Sequence, residues 1–362
     1  MNIILTIIVF FFCILLSYAN IKYKNKYIYI LASLLLSLIV GIRTTNVPDT
    51  ENYLDFFDNI SFSNLLSSYT FEPGFQLFTL FLKYVTLGNP IIYFFAVSII
   101  NCSILYYSLK NIDEDDNKNP TLLLVLYYAF FGLFYNAIVI RAGIAISIVI
   151  YAISLDYASQ VKEVHRKTIK IISLFALAIS FHYTALLGIF VYFIYKKAIR
   201  FTRLSYLIIW LIIFLIAISN SSIYIVNSLV KLIISIFDLV QGTDLNKYSY
   251  YLTELYDLND KLPFRVLFQL LIALLMIFWN GQICSFHFRS FNVYLVGLFL
   301  SSIFFSIEQL SRITDYFLIF SSFCLYFILK ANMKKIGTAI LYIFIVLPQI
   351  IFFFRIIIDK SH

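Results

Sequence analysis

KIISLFALAISFHYTALLGIFVYFIYK, residues 170–196, carries no charged residue between its terminal lysines. Lys162, Arg166, Lys167 and Lys170 stand on one side of it, and Lys196, Lys197, Arg200 and Arg203 on the other. Basic residues collect on the cytoplasmic face of a membrane, so both ends of this apolar stretch are expected inside. It should therefore enter and leave on one face, as a hairpin of two half-length helices turning near His182.

The rest of the chain fits this environment. Of its 362 residues, 62% are hydrophobic and 13% charged. A soluble domain runs at about half apolar and about a quarter charged. Mean hydropathy is +0.90, beyond what a water-soluble core of this size produces. The fold class is accordingly all-α, a polytopic integral membrane protein in a single transmembrane domain over residues 1–362. Apolar spans are expected near 3–19, 27–42, 90–109, 120–138, 140–158, 205–219, 264–281, 290–307, 316–331 and 336–354. With the hairpin as two passes, these make about twelve transmembrane or re-entrant helices, both termini outside. Lys22, Lys24 and Lys26 after the first span fit a retained helix, not a cleaved signal.

The net charge of +8 does not point to nucleic acid, because its 27 Lys+Arg fall mostly in short cytoplasmic runs between spans. Two long loops, about 43–89 and 220–263, face outward. Their amphipathic stretches Phe75–Val85 and Ile223–Val240 are expected to lie in the outer interface. The run Asp113-Glu114-Asp115-Asp116 is expected as a solvated cytoplasmic turn. Cys13, Cys102, Cys284 and Cys324 show no paired or metal-binding spacing, so they read as packing residues. No Gly-rich nucleotide loop, zinc spacing or G-x-S-x-G elbow occurs.

Chemistry is sought among the outward charges. Arg43 follows a span, Arg141 sits at the tip of the 120–158 hairpin, Arg265 begins a span, and Arg312 lies in a short turn over 308–315. A cation near hydrocarbon costs about 2.5–3.5 kcal/mol, so each needs a compensating anion. Local acids (Asp49, Glu72, Glu308, Asp315) could supply it, as could a pyrophosphate ligand, which suits the bidentate guanidinium. Asp49, Glu51, Asn52 and Tyr53 could bind sugar hydroxyls or a divalent ion. Alternatively, Asp49-Thr50 caps an interfacial helix. Glu72-Pro73-Gly74-Phe75 likewise reads as a helix start. His182 is the one histidine within an apolar span, either a general base or a packed, hydrogen-bonded side chain. Tyr248, Tyr250, Tyr251 and Tyr256 could stack on sugars or anchor the second outer loop at the interface. No obligatory metal or other cofactor is expected. Asp49, Glu51 and Glu72 are the carboxylates a magnesium ion would use.

Five segments in order resemble the EpsG-like branch of Wzy-type polysaccharide polymerases. They are Gly41-Ile42-Arg43 with Asp49-Thr50 and Tyr53; Glu72-Pro73-Gly74-Phe75; Asn136 with Arg141 and Ile144-Ala145; Phe181-His182-Tyr183-Thr184-Ala185; and Arg312-Ile313-Thr314-Asp315-Tyr316-Phe317. One departure is Ala142, where the family often has glutamine after the arginine. The resemblance implies a GT-C-like glycosyltransferase in the bacterial inner membrane with its active site facing outward. It would polymerise oligosaccharide repeat units carried on undecaprenyl diphosphate, releasing undecaprenyl diphosphate. His182, Glu72 and Asp49 are then the catalytic candidates. Arg43, Arg141, Arg265 and Arg312, with Tyr53 and Tyr316, are the substrate-binding candidates. The implied partners are the lipid-linked donor and acceptor, membrane lipid, and a chain-length regulator. A lipid-linked glycan ligase and a flippase of the same lipid are the alternatives. Whether the product is O-antigen, capsule or exopolysaccharide is left open.

Overall fold

A computed structural model describes residues 2–66, 71–113, 118–158, 164–197, 199–219, 228, 263–278, 285–305, 308–332 and 336–359. Every regular element among them is helical. In chain order they are α1 (Ile3–Tyr23), α2 (Lys26–Gly41), α3 (Thr50–Asn59), α4 (Pro73–Val85), α5 (Pro90–Ile112) and α6 (Pro120–Ala137). There follow α7 (Ile140–Tyr157), α8 (Val164–Phe181), α9 (Leu187–Lys196), α10 (Arg203–Ile218) and α11 (Phe264–Phe278). The last are α12 (Ser285–Phe304), α13 (Glu308–Leu318), α14 (Phe320–Asn332) and α15 (Ile336–Asp359). Local chemistry sets several starts. Asn89-Pro90 and Asn119-Pro120 each put an amide cap before a proline that already has helical φ, and Asn89 and Asn119 accept bonds from Ile92 and Leu122.

Among the described residues, five stretches are long and apolar enough to cross a membrane: Ile3–Tyr23, Pro90–Ile112, Pro120–Ala137, Ile140–Tyr157 and Arg312–Asn332. The outer surface supports that role. On α1, Ile4 is 70% exposed, and Ile8, Phe11, Phe12 and Leu15 are exposed beside it. Such an apolar stripe is stable against lipid and not against water. This is an integral membrane protein.

The chain packs as two units, Met1–Phe193 with Leu325–His362, and Ile194–Cys324. In the first, α6 is the central helix: Leu122, Leu124, Leu126, Tyr128 and Phe131 are all buried, as expected of a helix apolar all round. It contains a π turn at Tyr128–Gly132. Helices α1 and α2 pack on it, while α5 packs on α2 and α7, and α8 on α7. Hydroxyls stitch the helices together: Ser98 donates to Ser37 at 2.8 Å, and Tyr29 to the Cys102 carbonyl. In the second unit, α12 packs on α10 and α13. There Tyr294 donates to Gln269 at 2.7 Å and Trp210 to the Leu270 carbonyl at 2.8 Å.

The hairpin expected over 171–195 is present as a helix reversal. Helix α8 ends at Phe181, His182 is extended (φ −160°, ψ 122°), a 3-10 turn covers Tyr183–Leu186, and α9 follows. The rings of Phe175 and Tyr192 meet at 5.5 Å. A straight helix would hold them about 25 Å apart.

Three local expectations are corrected. Residues 308–315 are not a turn but most of α13, so Arg312 sits on a helix. Asp49 occupies the N-cap position of α3 in a left-handed conformation (φ 60°), and its side chain makes no capping bond. Asp113 is not solvated: it is 4% exposed and accepts from Tyr326 at 2.5 Å and Lys330 at 2.8 Å. A solvated turn was the natural reading of an acidic run, but Asp113 closes the end of α5, where α14 supplies a cation. Residues 114–116, the stretch Ile223–Val240 apart from residue 228, the Tyr248–Tyr256 cluster and Cys284 lie outside the described residues.

Candidate active site

The site begins at the tip between α6 and α7. Gly143 lies so close to the Tyr135 carbonyl that an added Cβ would stand 2.6 Å from that oxygen. Only glycine permits this approach, and it lets α7 start directly after α6 with Arg141 in its first turn. The end of α6 is held by Arg43. Its Nη1 donates to the carbonyls of Asn136 (3.0 Å) and Ala137 (2.7 Å), and its guanidinium lies 3.4 Å over the Phe94 ring. A cation on the exposed carbonyls of a helix C-terminus is favoured by the helix dipole. Asn136 is also anchored: it donates to Gly132 O at 2.8 Å and accepts from Asn101 at 2.6 Å.

A second close approach brings α4 to α8. An added Cβ on Gly74 would lie 2.3 Å from Ser180 Oγ and 2.8 Å from the Ser180 carbonyl. Proline at the first position of α4 fixes the entry, and glycine next to it allows the contact. Glu72, at the N-cap of α4, does not cap the helix. Its carboxylate turns inward and is 5% exposed. Oε1 bonds His182 Nδ1 at 2.7 Å, and Oε2 accepts from Arg141 Nη1 at 2.6 Å. One carboxylate thus bridges three chain segments that lie far apart in sequence.

The electrostatics follow. Burial alone would raise the Glu72 carboxyl, but the His182 bond and the Arg141 charge outweigh it and hold the group at about 2. An ionised carboxylate only accepts hydrogen bonds, so the bonded Nδ1 carries the imidazole proton. In the neutral imidazole Nε2 is then the acceptor. The carboxylate thereby orients the imidazole ring and fixes which nitrogen faces it.

Beside this cluster opens a cleft of about 600 Å³, bordered by Arg141. Tyr53, Phe56 and Phe71 form its aromatic wall, with Phe56 and Phe71 4.3 Å apart and Arg141 4.7 Å over Phe71. Asp49, Asn52, Asp55 and Asn59 give it polar edges. The Tyr53 hydroxyl is buried and adjoins Arg141. The first unit therefore gathers Glu72, His182, Arg141, Tyr53 and Asp49 in one place. Arg43 is nearby, with Nη1 committed to the end of α6.

The remaining candidates belong to the second unit. Arg265 Nη2 pairs with Asp315 Oδ1 at 3.0 Å, Arg312 is half-buried on α13, and Tyr316 is 3% exposed. Among the described residues, no three His, Cys, Asp or Glu side chains gather at metal-binding spacing. Sequence reasoning missed Asp55, Phe56, Asn59 and Phe71 as cleft residues. The signal was the spacing of three or four between Asn52, Asp55, Phe56 and Asn59, which puts polar groups on one helix face.

Residues 26–362 match the model of the EpsG family. No curated protein and no solved structure matches the chain.

Proposed function

The chain belongs to the EpsG family, and from that premise we propose that it is a Wzy-type polysaccharide polymerase. It joins repeat units carried on undecaprenyl diphosphate at the outer face of the bacterial inner membrane, with about twelve passes and a GT-C-like plan. A hydroxyl of the incoming unit attacks the anomeric carbon of the growing chain. The bond from that carbon to the diphosphate oxygen breaks, and undecaprenyl diphosphate leaves with the electron pair.

The observation that carries this reading is the Glu72 bridge between His182 and Arg141. His182 Nε2 takes the proton of the attacking hydroxyl, and Glu72 steadies the imidazolium that forms. Arg141 borders the cleft and meets the charge that develops on the diphosphate. Glu72 is a positioning residue here: a carboxylate held at about 2 is too weak a base to take a hydroxyl proton. Arg265, Arg312 and Tyr316 are proposed as further diphosphate or lipid contacts, and Asp49 as a sugar contact.

The test is a surface-glycan gel from a strain lacking the gene. The expected result is loss of chain-length laddering with one repeat unit still attached, and restoration by the wild-type gene but not by His182→Ala. Loss of all attached glycan would point to a ligase or flippase instead.

A further inference from the structure

The cleft beside Arg141 has a charge pattern that the polymerase chemistry does not require. On α3, Asn52, Asp55, Phe56 and Asn59 recur every three or four residues and share the face turned to the cleft, while Thr50, Tyr53 and Phe57 are buried. Asp49, Glu51, Asp55 and Asp58 are the only titratable side chains of α3 and its entry besides Tyr53, and no lysine or arginine occurs between Thr44 and Leu82. Lys83 does not offset them in the cleft, because its ammonium is turned to the Asp58 and Ile60 carbonyls at 2.7 and 2.9 Å. Among the described residues, Arg141 is the one cation bordering the cleft, and Glu72 sits 2.6 Å from it. Away from Arg141, the cleft thus offers carboxylates, amides and aromatic faces.

That set has a definite ligand chemistry. Carboxylates and amides accept and donate to hydroxyls, and rings such as Phe56 and Phe71 stack on the apolar faces of sugars. Asp49 and Asp55 repel an anion and attract an ammonium. Taking the polymerase reading as its basis, we infer that the cleft is the glycan subsite and that Asp49 and Asp55 restrict it to neutral or amino sugars. Sugars bearing carboxyl, sulfate or phosphate groups are refused. About 600 Å³ falls within the range of small-ligand sites and fits one or two sugar units next to the bond being made.

The test starts with the polymer that disappears when the gene is deleted. The sugars flanking its inter-repeat bond should carry no acidic group. An acidic sugar there overturns the inference while leaving the polymerase reading intact. If no polymer disappears, the polymerase reading itself has failed, and the inference falls with it. Binding supplies the second arm. The repeat-unit oligosaccharide, and the same oligosaccharide with its primary hydroxyls oxidised to carboxyls, are titrated against the full chain in nanodiscs at low salt. The native form should bind about tenfold tighter, a gap that shrinks as salt rises. Asp49→Asn with Asp55→Asn should bring the two within about twofold. Both residues are exposed, so folding tolerates the change. Equal binding by the unaltered protein, or a gap that persists in the double variant, removes Asp49 and Asp55 as the selecting groups.

Discussion

Glu72, His182 and Arg141 are coupled, so their substitutions should not act alike. His182→Gln keeps a polar side chain but no imidazole, and polymerisation should fall by about 10²–10⁴-fold with protein level unchanged. Near-normal chain synthesis in a gel assay would reduce His182 to a packing residue. Arg141→Lys should rescue poorly, because an ammonium offers a point charge where the guanidinium offers a planar fork. Arg141→Ala should abolish the ladder, and full activity would remove that residue from the site. For Glu72 the readout is acid stability. Its carboxyl lies at about 2 in the folded protein, below the ordinary value of 4.5. The stabilisation it brings is therefore complete above about 4.5 and is lost as pH falls towards about 2. Wild-type thermal stability in detergent should decline through that window, and Glu72→Gln should show a shallower decline there. Parallel curves would mean that the bridge contributes nothing to folding.

Among elements, the decisive contact is that of α4 with α8. Gly74→Ala forces a Cβ against the Ser180 main chain, a clash costing about 1–3 kcal/mol unless the helices part. Parting them pulls Glu72 from His182, so the ladder should be lost together with some thermal stability. Ser180→Ala removes a half-buried hydroxyl bonded to Leu177 O and leaves the main chain that Gly74 approaches untouched, so it should be close to neutral in both measurements. An active, stable Gly74→Ala would show that the approach is not needed. The reversal between α8 and α9 carries a topological expectation as well. Reporter fusions after Arg203 should behave as cytoplasmic, since basic clusters flank both arms. A periplasmic signal would shift every later span.

For the whole molecule, the buried ion pair of Asp113 with Lys330 ties the end of α5 to α14 across more than half the chain length. Asp113→Ala removes the carboxylate that both Lys330 and Tyr326 bond, and should cost about 3 kcal/mol by leaving a half-buried ammonium without it. The measurement is the thermal midpoint in detergent. A change below about 1 kcal/mol would mean that water reaches the pair freely.

Composition and charge order were enough to identify a helical membrane protein, because hydrocarbon leaves the backbone few other ways to satisfy its polar groups. The helix break at His182 was legible too, since basic clusters on both sides leave a long apolar segment little choice but to turn back. His182 and Arg141 could be named as candidates for a related reason: an ionisable side chain beside apolar segments stands out against its neighbours. Their joint arrangement was not legible. Glu72 reads equally as a helix start, as one of four acids that could pair with an arginine and as a catalytic candidate. Nothing local joins it to His182 and Arg141 together, because these partners lie 110 and 69 residues away. Asp113 read as solvated for the same cause, its partner being 217 residues distant. Hydropathy and periodicity report only the surroundings that a residue's own segment creates. Which distant segments meet was decided by packing at Gly74 against Ser180, where the absence of a single Cβ lets two backbones come close enough for Glu72 to reach His182. The approach of Gly143 to Tyr135 turns the chain locally and sets Arg141 within reach of the same carboxylate.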